Sequence, residues 1–391
     1  MKKNILIISQ NFYPEIGSAA NRIKNFSKSL QEKNNVNVLT LKPRYPKKDM
    51  YIFNFLEEGN VFYVGSFFKK YHASLFFRLI FYLDVCIRFL FKGIKLAKSS
   101  DVVVVTSPPI FVGLVGMVIC KIVGKPFVLD IRDLWPESLI GVEKMDSNFV
   151  LKIGFYLEKK MIGAAATIII NSLGFSSYLI SKGVQKEKIC YLPNSLTREE
   201  LAIFKKSKVF KNKKISIVYV GNIGRAQEFS DLVDLACKYK NVVEIIVIGF
   251  GVKKKELVSI VKKKGLTNVR FLELMDRERT LDLMSKSDLA FVGLKHSEVF
   301  DKVLPGRLID CLGMGLPVIA DVSGVAANII EEKKLGVVTR NNDEWLGFIE
   351  MFLSDKEKLY KYKKRAHYYA CTNFNWDRNE YYLRKILDKL G

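Results

Sequence analysis

The chain has 391 residues, of which 49% are apolar, enough for the cores of two domains. Its 63 Lys and Arg against 40 Asp and Glu give a net charge of +23, which favours polyanionic partners, although an AT-rich genome would account for part of the lysine excess. The six cysteines form no Cys-x-x-Cys pair, so we expect free thiols and exclude a disulfide-rich scaffold. The run Ile5–Ile8 is too short for a signal peptide, and no uncharged apolar stretch reaches the roughly 18 residues of a membrane span.

Short apolar runs alternate with helical patterns in two series, which predicts two parallel α/β domains. The first series of strands is Asn4–Ser9, Val36–Leu41, Val61–Val64, Val102–Thr106, Pro126–Asp130, Thr167–Asn171 and Ile189–Leu192. The second series is Ile215–Val220, Glu244–Ile248, Val269–Leu272, Leu289–Val292, Val318–Ala320 and Gly336–Val338. A polar, lysine-rich segment, Thr197–Lys214, separates the two series and is the best linker candidate. We predict domains at 1–196 and 197–368, with a C-terminal helix at 369–391 that crosses back to the first domain.

Two segments of the first half predict helices of unusual composition. Ser74–Lys98 has the periodicity of an amphipathic helix, with basic residues on one half and an apolar stripe on the other. The stripe consists of Leu75, Leu79, Leu83, Cys86, Ile87, Leu90 and Ile94. Because Phe77, Phe81 and Phe91 fall on the charged half, the pattern favours an anionic membrane surface over a helix that packs only on its own sheet. The apolar segment Phe111–Val123 predicts a buried helix.

The loop after the first strand leads into a helix that we expect to begin near Ser18. A helix N-terminus offers free N–H groups to an anion, and Gly17 would let a phosphate or sugar approach the backbone. The loop is not a dinucleotide fingerprint, and Gly249-x-Gly251 lacks the third glycine because Lys254 stands there. These features argue against a nicotinamide enzyme.

A second polar cluster, Asp130–Glu137, follows the strongly apolar fifth strand. Ligands of α/β sheets bind at the carboxyl ends of strands, so the carboxylates and Arg132 could orient an acceptor hydroxyl. The alternative is a structural salt bridge with Trp135 as a core anchor.

Two segments of the second half predict an anion site. Gly221, Gly224 and Arg225 lie between a strand and a helix, where they could cradle a diphosphate. Arg307 stands in the first turn of a later helix and could also meet a phosphate. Asp310 lies three residues on, on the same helix face, and could accept hydrogen bonds from a ribose diol.

Together these motifs resemble family-4 retaining glycosyltransferases of the GT-B fold, and within them the O-antigen and capsule enzymes similar to L-N-acetylfucosamine transferases. The resemblance covers nearly the whole chain and is carried by Pro14–Gly17, Arg132–Glu137, Pro193-Asn194, Gly221–Arg225, Pro305–Asp310, Gly315–Val318 and Phe374–Trp376. It implies two Rossmann-like domains that face each other across a cleft, the second of which binds the nucleoside diphosphate.

The resemblance also implies residue roles. Asp310 would bind the ribose, and Arg225 and Arg307 would bind the diphosphate. The loop near Glu273–Met275 would contact the base, and Gly17 would lie beside the donor phosphate. It implies front-face attack, in which the departing phosphate takes the acceptor's proton and the anomeric configuration is retained.

Three positions depart from the family pattern. Lys302 stands where the first glutamate of the Glu-x7-Glu pattern is expected, so Glu298 is the candidate to replace it. Arg132 replaces a histidine that is frequent after the fourth or fifth strand, which makes Asp133 the candidate for acceptor-side chemistry. The ribose ligand, Asp310, is shorter than glutamate.

We therefore expect a transferase that needs a UDP-sugar co-substrate and no metal. The chain has no Asp-x-Asp, and its three histidines are far apart. The expected acceptor is a polyprenyl-diphosphate-linked saccharide, and the expected location is the cytoplasm, peripherally at the inner face of the plasma membrane.

Three other functions remain open. A UDP-sugar 2-epimerase could share this fold, but it needs acid–base carboxylates and histidines, and histidine is scarce here. A nucleic-acid-binding module would suit the charge alone, but the lysines form no stripe and no recognition motif is present. A non-catalytic membrane scaffold would leave both anion segments without a purpose.

Overall fold

The computed structural model describes residues 2–43, 60–66, 75–142, 148–206, 214–339 and 344–390. The chain divides into two compact units. Unit 1 consists of Met1–Leu139, Met145–Pro193 and Arg378–Gly391, and unit 2 consists of Ile140–Lys144 and Asn194–Asp377. We predicted boundaries after residues 196 and 368, and the units divide after Pro193 and after Asp377.

Unit 1 contains a seven-stranded parallel sheet of order β3-β2-β1-β4-β5-β6-β7. Its strands are β1 Asn4–Ile8, β2 Asn35–Leu41, β3 Val61–Val64, β4 Val102–Ser107, β5 Phe127–Ile131, β6 Thr167–Ile170 and β7 Ile189–Tyr191. Nearly all central strand residues are buried, as expected of a sheet covered by helices on both faces.

Unit 2 repeats the plan with a six-stranded parallel sheet of order β10-β9-β8-β11-β12-β13. Its strands are β8 Ile215–Asn222, β9 Val243–Phe250, β10 Val269–Leu272, β11 Leu289–Gly293, β12 Val318–Asp321 and β13 Gly336–Val338. Every strand predicted from the sequence is confirmed, and no end differs from the prediction by more than two residues. The prediction of two Rossmann-like α/β domains is therefore confirmed.

The helices connect these strands in chain order. They are α1 Ser18–Gln31, α2 Leu75–Ala97, α3 Ile110–Val123, α4 Glu137–Val142, α5 Asn148–Ala164, α6 Gly174–Ser181, α7 Arg198–Lys206, α8 Ser230–Lys238, α9 Lys254–Lys263, α10 Arg277–Ser285, α11 Glu298–Asp301, α12 Gly306–Gly313, α13 Gly324–Glu332, α14 Glu344–Ser354, α15 Lys356–Asn373 and α16 Trp376–Asp388. Helix α16 docks in unit 1, where Arg384 pairs with Glu32 at 3.1 Å and Leu387 O accepts from Lys3 Nζ at 2.6 Å. Within the described residues no helix is both long and apolar enough to cross a bilayer.

Helix α2 begins and ends within one residue of the predicted bounds, and its predicted apolar stripe does not form one buried face. Val85, Phe89 and Ala97 are buried, whereas Leu83 and Ile87 of the predicted stripe are exposed. Gly93 also lies on the buried side of α2, where a Cβ would press into the side chain of Ile119 on α3. The glycine lets α3 approach closely, so α2 presents the face that carries Gly93 to its neighbour.

The order of strands reverses beside the first strand of each sheet. Strand β1 lies between β2 and β4, and strand β8 lies between β9 and β11. Ligands of open α/β sheets bind outside the carboxyl ends of strands at such a switch point. The loops after β1 and β8, which carry Gly17 and Arg225, therefore lie where each unit is expected to bind a ligand.

Candidate functional site

The loop after β8 in unit 2 is held tightly by glycines and one amide side chain. Gly221 has φ 132°, a value that favours glycine, and the N–H of Gly224 donates to Gln227 Oε1 at 2.9 Å. A Cβ at Gly249 would collide with Gly221 O, and one at Gly251 would collide with Ile223 O. The Gly249-x-Gly251 pair that follows β9 thus makes room for this loop. Because the N–H of Gly224 already donates to Gln227, Gly224 contributes to the predicted diphosphate cradle by keeping the loop compact.

Arg307, in the first turn of α12, lies against the same loop. Its guanidinium carbon is 4.9 Å from the ring centroid of Tyr219, and its Nη1 donates to the Tyr219 hydroxyl. A Cβ at Gly221 would lie 3.5 Å from the Arg307 Cζ, so the arginine covers the end of β8. Burial raises the pKa of Tyr219 and the nearby Arg307 charge partly opposes this shift. The structure therefore brings Arg307 to the Gly221–Arg225 loop, where the Arg225 side chain is exposed.

Asp310 is the predicted ribose ligand, and its carboxylate bonds to Arg277, the first residue of α10. Arg277 Nη2 donates to Asp310 Oδ1 at 2.9 Å, and Nη1 donates to Oδ2 at 3.2 Å. The other side of the guanidinium bonds to Glu200 on α7. Burial lowers the pKa of Arg277, but the two carboxylates outweigh this effect and the net shift is upward. The guanidinium therefore stays charged and holds Asp310 by two parallel hydrogen bonds.

Two further predicted contacts of unit 2 lie at the surface. Glu298 is exposed in the first turn of α11, which Ser297 caps by accepting from the N–H of Phe300 at 3.4 Å. Glu273, the first residue of the predicted base-binding loop, is exposed, and its carboxylate lies 3.7 Å from Lys254 Nζ. Both carboxylates are accessible to a ligand.

Gly17 in unit 1 directly precedes α1, which begins at Ser18 as predicted. The backbone at Gly17 is extended, with φ 163°, and a Cβ there would meet no atom within 4 Å. Nothing in unit 1 itself requires a glycine at this position. A role for Gly17 in letting a ligand approach the backbone stays a prediction.

Arg132 is the predicted catalytic arginine of unit 1, and it is tied to strand β4. Its Nε donates to Thr106 Oγ1 at 2.7 Å, and its Nη2 donates to Pro108 O at 2.5 Å. Burial lowers the pKa of Arg132 to about 10. The carbonyl of Arg132 also accepts from Asn171 Nδ2 at 3.2 Å, which connects the ends of β5 and β6. This pattern is typical of an arginine that fixes backbone segments.

Asp133 and Asp130 differ in their surroundings. Asp130 is fully buried and bonds to Arg22 on α1, with Arg22 Nη2 to Asp130 Oδ1 at 2.7 Å. The alternative of a structural salt bridge is therefore confirmed for Asp130, which cannot orient an acceptor. Asp133 is half-buried, and burial raises the pKa of its carboxyl group against the opposing hydrogen bonds from Ser138 and the Leu134 N–H. Asp133, like Glu137 of the same segment, is partly exposed, so Asp133 remains a carboxylate that a substrate could reach.

Sequence reasoning missed the partners that hold these groups: Arg22, Glu200, Tyr219, Gln227 and Arg277. Most of these partners lie far from their targets along the chain and carry no motif. The Gly249-x-Gly251 pair, which the sequence presented only as an incomplete dinucleotide fingerprint, makes close backbone contacts with Gly221 and Ile223.

Comparisons with known proteins agree with this architecture. Over its full length the chain is 17% identical to HepE from Anabaena, crystallised in complex with UDP, with a TM-score of 0.70 and 100% of both chains covered. It is 14% identical to a sucrose-phosphate synthase from Thermosynechococcus elongatus, with a TM-score of 0.77 over 100% of this chain and 99% of the other. At these identities the likeness shows the fold, which is GT-B.

Two sequence comparisons concern function. Residues 202–368 match the family model "Glycosyl transferases group 1". The chain is also 22% identical, over 100% of both sequences, to an uncharacterized glycosyltransferase from Methanocaldococcus jannaschii, MJ1069. The matched segment includes Arg225, Arg307 and Asp310. Together these findings support a glycosyltransferase of the GT-B fold with a group 1 domain at residues 202–368.

Proposed function

We propose that this chain is a family-4 retaining glycosyltransferase that moves a sugar from a UDP-sugar to a polyprenyl-diphosphate-linked saccharide. The proposed pathway is the synthesis of a surface polysaccharide, an O-antigen or capsule, and the proposed sugar is an N-acetylated deoxyhexose. The observation that carries the donor half of this proposal is the position of Arg307 against Tyr219 and Gly221, at the switch point of a sheet within the group 1 domain. The UDP bound by HepE supports the choice of nucleotide.

Departure of UDP is the difficult event of such a transfer, because negative charge grows on the oxygen that leaves the anomeric carbon. Tyr219 already orients Arg307, and Arg225 extends from the loop after β8, against which Arg307 lies. Donors that are fixed before the reaction stabilise the developing charge without a reorganisation cost. If these arginines supply the charge, transfer needs no divalent metal, and we expect a chelator such as EDTA to leave the rate unchanged.

Asp133 is our candidate for the acceptor side. In the proposed front-face mechanism the acceptor hydroxyl attacks the anomeric carbon while its proton passes to the departing phosphate. Before attack, Asp133 would accept a hydrogen bond from that hydroxyl and orient it, and the hydroxyl would then turn its single proton towards the departing phosphate. Because Arg132 is bonded to Thr106 and Pro108, we assign it the role of fixing the segment that carries Asp133.

Calorimetry with UDP tests the donor site. We expect wild type to bind UDP and Arg307→Met to bind it at least ~10-fold more weakly, since a charge-assisted bond to phosphate is lost. The matched control is Arg270→Met, which removes a partly exposed arginine that pairs with Glu244 at 2.6 Å in the same unit. If wild type has no affinity for UDP, or if both variants lose it equally, the proposal is wrong.

A transfer assay separates the proposed activity from its nearest rival. With a panel of UDP-sugars and a lipid-linked acceptor, we expect sugar to appear on the lipid and the anomeric configuration to be retained. Formation of a C2 epimer of the donor sugar without transfer would favour the epimerase alternative.

We also propose that unit 1 rests on an anionic membrane. Helices α2, α3 and α5 pack side by side, and their outward side carries large exposed apolar residues, which we call the apolar face. The apolar face consists of Leu83, Ile87, Phe91, Val118, Ile122, Phe149, Val150, Ile153 and Tyr156. Exposed lysines stand beside it on all three helices, at Lys95, Lys121 and Lys152. Apolar residues with a lysine fringe match the interfacial region of an anionic bilayer.

The predicted charges of α2 contribute unequally to this surface. Arg88 Nε donates to Asp84 at 2.6 Å, and the Lys92 ammonium lies 5.4 Å from the ring centroid of Phe62, whereas Lys95 is exposed. Phe91 is 72% exposed on the same helix. Phe77, which the sequence also assigned to the membrane, lies outside the residues whose side chains are described.

Sedimentation with vesicles tests this surface. With phosphatidylglycerol-containing vesicles, we expect the pair Phe91→Ser and Phe149→Ser to reduce the bound fraction several-fold, because each removes a large buried apolar contact with the lipid. Reversing the charges of Arg88, Lys92 and Lys95 to Glu should also reduce binding. Tyr368→Ser, which alters a 73% exposed aromatic in unit 2, is the control. Unchanged sedimentation of the first two variants would refute the membrane proposal.

A further inference from the structure

Three charged side chains from three helices of unit 2 form a connected group. Arg277 opens α10, Glu200 lies in α7, and Asp310 lies in α12. The guanidinium donates to both oxygens of Asp310, at 2.9 and 3.2 Å, and it bonds to both oxygens of Glu200 on its other side. A carboxylate that meets a guanidinium through two parallel bonds has a defined orientation as well as a defined position.

The group is partly buried, which makes its geometry matter. The side chains of Arg277, Glu200 and Asp310 are 29%, 16% and 26% exposed. Two carboxylates share one guanidinium, so the group carries a net charge of −1. A carboxylate offers about four acceptor positions, and Arg277 uses two of those on Asp310. Asp310 can therefore still accept a hydrogen bond from a hydroxyl group while Arg277 holds it.

We propose that Arg277 is a positioning residue for the donor nucleotide. It holds the Asp310 carboxylate in the orientation that accepts a hydrogen bond from a ribose hydroxyl, and Glu200 anchors Arg277 from the opposite side. This inference rests on the proposed function, in which Asp310 binds the ribose of UDP.

Fixing Asp310 in this way compensates for its length. An aspartate has one methylene fewer than the glutamate expected at this position, so it has fewer rotatable bonds with which to reach a ligand. A guanidinium bound through two hydrogen bonds removes the remaining freedom of its carboxylate. The side chain of Asp310 then loses its conformational entropy when the protein folds, so ordering it does not weaken binding of the nucleotide.

The prediction that separates this role from a general structural role concerns nucleotide selectivity. If Arg277 acts only through Asp310 on ribose, its removal weakens binding of UDP and leaves binding of the corresponding deoxy nucleotide unchanged. Damage to the fold would weaken binding of both. The selectivity for UDP over its deoxy forms therefore reports the proposed contact directly.

Calorimetry is carried out with UDP, 2′-deoxy-UDP and 3′-deoxy-UDP on the full-length protein. We expect wild type to prefer UDP over at least one deoxy form by roughly 10-fold or more, the effect of a hydrogen bond to a charged group. In Arg277→Met this preference should fall to near unity. Glu200→Gln, which keeps the Arg277–Asp310 bonds, should reduce the preference by about 3-fold. Arg277→Lys, which keeps the charge but loses the planar fork, should fall between wild type and Arg277→Met.

Steady-state kinetics provide a second readout. We expect Arg277→Met to raise the KM for the donor while kcat changes little, because an equal loss of ribose binding in the ground state and in the transition state has that signature. Arg270→Met, which removes an arginine–carboxylate pair that includes neither Asp310 nor Glu200, should leave both the KM and the selectivity unchanged.

The possible outcomes are distinct. If Asp310→Asn abolishes the preference for UDP but Arg277→Met and Glu200→Gln do not, the inference is wrong and the proposed function stands. If Arg277→Met and Glu200→Gln weaken binding of all three nucleotides equally, the group has only a structural role, and the inference is again wrong. If wild type binds none of the nucleotides, the proposed function itself fails and the inference fails with it.

Discussion

The two units place an arginine beside the end of a parallel strand, and they use it differently. In unit 1, Arg132 donates to Thr106 and to the carbonyl of Pro108, so two of its guanidinium nitrogens are bonded to the protein. In unit 2, Arg307 lies on the ring of Tyr219 and donates to its hydroxyl, and none of the described carboxylates forms an ion pair with it. The same residue type near a strand end therefore fixes the backbone in unit 1, whereas in unit 2 it packs on an aromatic ring, where we propose that it binds an anion.

The two units also differ in how deeply the charges near these strand ends are buried. Unit 1 buries a complete ion pair, Arg22–Asp130, beneath the segment that carries Arg132. Unit 2 leaves Arg225 exposed in the loop that Arg307 covers. A positive charge at a strand end is therefore weak evidence for a ligand until its surroundings are known, and the comparison is the reason that we propose anion binding for unit 2.

The largest expected effect breaks the buried pair of unit 1. Arg22→Met would leave the Asp130 carboxylate buried without its partner, and we expect a loss of about 3–5 kcal/mol in the free energy of unfolding. Chemical denaturation monitored by circular dichroism measures it. The double variant Arg22→Met/Asp130→Leu should recover most of this loss, and a single variant as stable as wild type would show that the pair contributes nothing.

The arginines themselves provide the next test. Arg132→Met should lower the free energy of unfolding by about 2–3 kcal/mol, because it leaves two acceptors of unit 1 without a donor. The affinity for UDP should be unchanged. Arg307→Met should show the opposite pattern, with the stability of wild type and weak binding of UDP. Thermal denaturation and calorimetry on both variants check the contrast, which fails if Arg132→Met binds UDP as poorly as Arg307→Met does.

A buried carboxylate makes unit 1 sensitive to pH. Burial raises the pKa of Glu158 from 4.5 to about 7, although Tyr178 donates to both of its oxygens. Between these two pKa values the folded state holds a proton that the unfolded state has lost, so this group makes the protein less stable as the pH rises from 4.5 towards 7.

Glu158→Gln removes this ionisation and can still accept from Tyr178. We expect the variant to match wild type near pH 4.5 and to exceed its free energy of unfolding by about 2–3 kcal/mol at pH 8. Denaturation curves at both pH values measure this difference. The exposed control Glu187→Gln should show no such dependence, and a difference independent of pH would contradict the assigned cause.

Local patterns predicted the sheets well. Strands such as Val61–Val64 and Val269–Leu272 have the predicted ends because each is a short apolar run between polar segments. The start of α1 at Ser18 followed from the polar loop before it. The buried face of α2 did not follow, because its apolar residues surround the helix and the face is selected by packing against α3, close at Gly93, and against the sheet.

The candidate site was predicted in outline only. Motif spacing identified Arg307 and Asp310, but their partners Tyr219 and Arg277 lie 88 and 33 residues away along the chain. Such pairs are fixed by the register of strands and the packing of helices, which single residues do not encode. The same limit explains Asp130, whose sequence neighbours suggested chemistry while its partner Arg22 lies 108 residues away.

The smallest expected effect concerns Arg225 and sharpens the division between the units. Because its side chain is exposed, its attraction to a diphosphate is screened by solvent and salt, and we expect Arg225→Met to raise the KM for the donor by about 10-fold at low ionic strength. The increase should shrink in 0.5 M salt, where exposed charges are screened over less than ~5 Å. The effect of Arg307→Met should persist there, since that guanidinium is partly buried against Tyr219.

Arg198→Met, at an 81% exposed arginine of the same unit, is the control for charge alone. An equal response of Arg225→Met and Arg198→Met would mean that only the general positive field of unit 2 attracts the donor, and that the loop after β8 contributes no specific contact through Arg225.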